Sequence, residues 1–154
     1  MTIFTMTSIV LLTILVSFLR GDKLHNYLVL ESENILLEAG YETSLEHPEK
    51  LPDGGTDFID LQARHGNFII CIEVETTPRY ILTNAVKAQQ LGLPLVVVVP
   101  NRSVQKAVRN KLSQVNIQPG GCDIYILLLS QLKQAVTKCF PLFSAANTHG
   151  KTKK

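Results

Sequence analysis

The run LPLVVVVP, residues 93–100, constrains the fold more than any other stretch of this chain. It is apolar throughout and shows no polar alternation, which is the pattern of a strand covered on both faces. Segments able to cover it lie on either side. Lys23 to Ala39, Tyr80 to Leu91 and Val104 to Val115 have helical composition and spacing. Gly40 and Gly92 stand where C-terminal caps belong, and Asn101 and Ser103 offer N-caps to the third helix. Asp123 to Leu129 reads as a further apolar strand, followed by a short helix from Ser130 to about Cys139. Tyr41 to Glu46 is expected to form a short edge strand, and HPEKLPDGGT (47–56) a loop, because prolines and glycines break regular structure.

Between the first two helices lies DFIDLQARHGNFIICIEVETT, residues 57–77. Two apolar runs of strand composition, Phe58 to Ala63 and Phe68 to Thr76, flank the polar break RHGN, and together they read as a tight hairpin. Strands separated by helices from there onward imply parallel crossovers. The expected fold is therefore α/β: a mixed sheet flanked by helices, in the order helix, strand, hairpin, helix, strand, helix, strand, helix.

Side chains alternate across a strand with period two, so the hairpin register decides which acids meet. A loop centred on His65-Gly66 places Asp60 opposite Cys71, and Asp60, Cys71, Glu73 and Glu75 then share one face. Asp57 falls on the other face with Ile70, Ile72 and Val74. Three carboxylates on one face repel one another unless a cation sits among them or one stays protonated. Oxygen ligands of this kind suit a hard ion such as Mg²⁺ or Mn²⁺. The ordinary reading, a solvated acidic face, is opposed here by the apolar neighbours FIDL and IICIEVETT. On the first helix, a turn of about 100° per residue groups Leu24, Tyr27, Leu28 and Ile35, with Glu31 in their midst. Glu31 is either a site acid or a marginal side chain reaching water.

At 154 residues and 45% hydrophobic content the chain has the material for one domain with a substantial core. A net charge of +2 is too mild to imply nucleic acid unaided. Three cysteines without metal-ligand spacing suggest neither a disulfide framework nor a zinc site. Residues 3–19, IFTMTSIVLLTILVSFL, are uncharged, mostly apolar and at the short end of the roughly 17–25 residues that span a bilayer. With no positive start before them, and Arg20 and Lys23 after, they read as an uncleaved anchor that keeps the following domain at the inner face of the cell membrane. The alternative is an apolar helix packed against the domain. The expected organisation is this segment (1–20), one domain (21–140) and a polar basic tail (141–154).

The element order and the hairpin acids resemble the PD-(D/E)xK nuclease superfamily, with its αβββαβ restriction-endonuclease-like core, and within it archaeal Holliday junction resolvase-type domains. The motif stands here as GTDFIDL (55–61) followed by IEVE (72–75), with thirteen positions from Asp60 to Glu73. The likeness covers about Lys23 to Val99 and leaves the last strand and helix as an addition. It implies that Asp60 and Glu73 bind Mg²⁺ or Mn²⁺, that Glu31 matches an acid often found on the family's first helix, and that the reaction is DNA phosphodiester hydrolysis. One position departs: Glu75 stands where the family usually has lysine. Glu75 then serves as base or as ligand of a second ion. Lys87, on the next helix, is the nearest candidate for a migrated lysine, with Gln89 or Gln90 as polar alternatives, although a surface location is the ordinary fate of such a residue. Arg79, Arg102, Lys106 and Arg109, with Lys111, would approach the DNA backbone without reading sequence. The partners expected are DNA, a membrane through residues 3–19, and a second copy of the chain as a homodimer. Two other functions compete with the nuclease. One is a catalytically inactive nuclease-fold module for DNA binding or scaffolding; the other is a membrane-anchored α/β protein without nuclease chemistry.

Overall fold

A computed structural model describes residues 21–51, 54–115 and 123–138. The apolar segment 3–19 and the tail from 141 lie outside the described residues. Among those described, no helix is long and apolar enough to cross a membrane.

The elements follow as α1 (Asp22–Glu38), β1 (Glu42–Lys50), β2 (Thr56–His65), β3 (Phe68–Val74), α2 (Ile81–Leu91), β4 (Leu95–Val98), α3 (Arg102–Ser113), β5 (Ile124–Leu127) and α4 (Leu129–Lys138). The strands form one mixed sheet in the order β1-β2-β3-β4-β5. The first three pair antiparallel as a meander, and β3, β4 and β5 run parallel. Central β4 is fully buried, as its unbroken apolar run requires. Its side chains serve two cores in turn. Val96 and Val98 join Ile70, Ile72 and Val74 under α1 and α4, while Leu95 and Val97 join Cys71 under α2 and α3. The helix ends match their sequence signals: Gly92 closes α2 in the left-handed conformation, and Asn101 Oδ1 accepts the Val104 N–H to cap α3.

Four details depart from the sequence expectation, each for a local reason. The hairpin turn is centred on Gly66-Asn67, because Gly66 (φ 60°) supplies the positive φ that a two-residue turn needs at its first central position. Gln62, not Asp60, therefore faces Cys71. The edge strand β1 continues to Lys50 through the supposed loop; Pro48 is tolerated there because its missing N–H falls on a strand with a neighbour on one side only. On α1 the fully buried stripe is Leu28, Val29, Ser32 and Leu36, shifted by about one position so that the expected Leu24, Tyr27 and Ile35 pack at its margin, partly buried. Ser32 qualifies for it because its hydroxyl donates to the Leu28 carbonyl at 2.7 Å, which removes the cost of burying it.

The fourth departure shapes the site. Ile59 packs under α2 while Leu61 packs under α1, although residues two apart on a regular strand share a face. Strand β2 is kinked at Asp60, between them. Its neighbour β1 is distorted at the same level, where Glu46 (φ 45°) sits between the pairs Leu45↔Leu61 and His47↔Ile59.

Candidate active site

The kink decides where each acid goes. The β2–β3 ladder ends at Leu61↔Ile72, so the Val74 N–H lies beyond its last pair. The Asp60 carboxylate takes that N–H instead, at 2.8 Å, and satisfies a donor that the sheet leaves over. The same oxygen lies 3.1 Å from His25 Nε2, near the start of α1. Burial alone would raise the Asp60 pKa, but the hydrogen bonds from His25 and from Val74 bring it below its usual value. His25 shifts upward in return, chiefly through the hydrogen bond to Asp60.

On the α2 side, Glu73 is 3% exposed and Lys87 6% exposed. Lys87 Nζ lies 2.6 Å from Glu73 Oε1 and 3.6 Å from Asp57 Oδ2, and it donates to the Phe58 carbonyl. The contact with Glu73 is a short, charge-assisted pair, and the Glu73 carboxyl also lies within hydrogen-bonding reach of Asp60. Burial first, and then the negative charge of Asp60, push the Glu73 pKa up to about 7, against the pull of Lys87. A polar chain thus crosses the sheet from His25 through Asp60, Glu73 and Lys87 to Asp57. A cleft opens at each end, about 410 Å³ beside His25 and Asp60 and about 390 Å³ beside Lys87 and Asp57.

Glu75 follows a different course. Its backbone N–H donates to the Val98 carbonyl, and its side chain accepts from Asn84 Nδ2 at 3.0 Å and from the Tyr80 N–H. The acid therefore ties β3 to the first turn of α2. Burial drives its pKa up to about 7.

The expected convergence of three acids on one ion is not formed: among the described residues no three His, Cys, Asp or Glu side chains gather around a common point. The kink sends Asp60 toward α1, and α2 claims Glu75 through Asn84. Glu31 makes no hydrogen bond or ion pair with Asp60 or Glu73 among the described residues, because the turn of α1 presents His25 there instead. Asp57, expected on the opposite face, reaches Lys87. Lys87 is not a surface lysine. Gln90 is exposed and Gln89 half-buried, and neither bonds to the acids. Arg79, Arg102, Lys106 and Arg109 are exposed, with Arg79 stacked over the Tyr80 ring at 5.1 Å. Lys111 donates to the Pro78 and Arg79 carbonyls at 2.8 and 3.0 Å, which pins α3 beside the turn that follows Glu75.

Sequence reasoning missed His25, Asn84 and the role of Asp57. For His25 a signal existed, since it lies three and four positions before Leu28 and Val29 on the stripe that the structure buries. No protein-family model matches the chain, and no curated protein is significantly similar to it.

Proposed function

We propose that this chain is a metal-dependent DNA endonuclease of the PD-(D/E)xK type, in which Lys87 takes the role of the motif lysine. One observation carries the reading. A buried lysine on the helix after the hairpin reaches to 2.6 Å from the second-strand acid Glu73, where the lysine missing at position 75 would be needed. The meander followed by a parallel strand, with α1 on one face and α2 on the other, is in keeping with an αβββαβ core.

Asp60 and Glu73 would hold Mg²⁺ or Mn²⁺. Two carboxylates suffice for Mg²⁺, which keeps several waters and takes further oxygens from substrate phosphate. The Asp60 and Glu73 carboxyls lie within hydrogen-bonding reach of each other, close enough to share such an ion. The bound cation would supply Lewis acidity at the phosphoryl group. Lys87 orients the attacking water and stabilises the charge that develops on the phosphate oxygens. Asp57 and the Phe58 carbonyl hold that ammonium in place. Glu75, through Asn84, fixes the first turn of α2, from which Lys87 projects three residues on; it is a positioning residue. Arg79, Arg102, Lys106 and Arg109 attract the DNA backbone, and Lys111 pins α3, which carries the last three, to the turn that carries Arg79.

The Lys87–Glu73 pair already balances charge in the buried site, and this favours a second reading, a module that binds DNA without turnover. One experiment separates the two. The full chain is incubated with plasmid and branched DNA in Mn²⁺ or Mg²⁺, beside Asp60→Asn and Lys87→Met. The nuclease reading expects nicking by the wild type and a loss of at least a hundredfold in both variants, the order of magnitude of removing one transition-state stabiliser. Retained DNA binding with no cleavage by any of the three proteins would establish the binding module instead.

A further inference from the structure

The cleft beside Asp60 has a character of its own. One wall is apolar and comes from two elements: Leu30 of α1 and Leu45 of β1 face it, 51% and 41% exposed. The rim is polar, with His25, Asn26, Glu46 and Asp60. At about 410 Å³ it falls in the range of small-ligand sites, about 300–1,000 Å³, enough for one nucleoside. Glu46 is the one non-glycine residue with positive φ among those described, at 45°. Strain of that kind persists where the surroundings over-determine it, and it gathers at ligand clamps. Here it sets a carboxylate at the cleft mouth.

We infer that this cleft receives one unpaired nucleobase bearing an exocyclic amine, next to the phosphate that is cut. The inference rests on the nuclease reading, because Asp60 is both a rim residue of the cleft and a proposed metal-binding acid. Asp60 shares its charge with His25, while Glu46 adds an exposed carboxylate, so the rim disfavours phosphate; of the parts of a DNA strand, the uncharged base is the one that enters. A flat ring covers the exposed faces of Leu30 and Leu45. Carboxylates accept from exocyclic amines, as Asp and Glu do from cytosine N4, whereas thymine offers no amine. The substrate class is therefore duplex DNA with an unpaired base, and of the pyrimidines cytosine is favoured over thymine.

The test uses the full chain in EDTA, with fluorescence anisotropy on labelled duplexes carrying a single-base bulge of cytosine, of thymine or of an abasic residue. Cytosine is expected to bind on the order of tenfold more tightly than the abasic bulge, with thymine between them. Glu46→Gln should erase the difference between cytosine and thymine. Leu45→Ser should erase the difference between base and abasic residue. Both sites are exposed, so both variants are expected to fold. Equal affinity of the wild type for the three duplexes, or an unchanged preference in both variants, would overturn the inference. Cleavage in Mn²⁺ is scored separately. Cutting without base preference removes the cleft and leaves the nuclease; preference without cutting does the reverse.

Discussion

Replacing Glu75 by glutamine should make the protein more stable at high pH and leave it unchanged in fold. Glu75 is 3% exposed, and burial raises its pKa from the ordinary 4.5 to about 7. A raised carboxyl pKa means that the folded state binds the proton more tightly than the unfolded chain does. The penalty is thus absent below the unfolded value, grows as pH rises, and is complete above about 7. A displacement of that size corresponds to about 3 kcal/mol. Glutamine keeps an oxygen to accept from Asn84 but carries no charge. It also buries an amide, at a cost of about 1–3 kcal/mol that does not depend on pH. The clean quantity is accordingly the variant-minus-wild-type stability at pH 8 less the same difference at pH 4.5, from which the amide cost cancels. Urea unfolding of both proteins in chelator-containing buffer should give a relative gain of about 3 kcal/mol at the higher pH, or roughly 1–3 M in midpoint at a typical slope. A variant whose stability follows pH in parallel with the wild type would show that the Glu75 carboxyl is not held out of water, and would refute the account of the site.

Two further substitutions test the scaffold. Asn101→Ala removes the acceptor of the Val104 N–H and should cost about 1 kcal/mol in chemical denaturation, with no change in fold. Ile72→Ala empties a fully buried position between α1 and the sheet; a loss of 2–5 kcal/mol is expected, and a loss below about 1 kcal/mol would mean that this core is loosely packed.

The elements themselves were legible because their signals are local. The unbroken apolar β4, the glycine that ends α2 and the asparagine that starts α3 each act within a turn or two of the backbone, and each appears where the pattern places it. The hairpin acids and Lys87 could be singled out for the same reason, as residue types at a spacing. What they do to one another could not. The centre of the turn, one residue further on, moved every cross-strand partner, since register passes down the whole ladder.

Sequence by itself determined the helices, the strands apart from the second half of β1, and the acids Asp60, Glu73 and Glu75 with Lys87, but not His25 or Asn84. Tertiary structure decided which of them meet. Asp60 turns to His25 because Ile59 and Leu61 are drawn into opposite cores and the strand between them must bend. Lys87 enters the interior because Glu73 and Asp57 wait there with the charge that a buried ammonium needs, and no window of consecutive residues contains that balance.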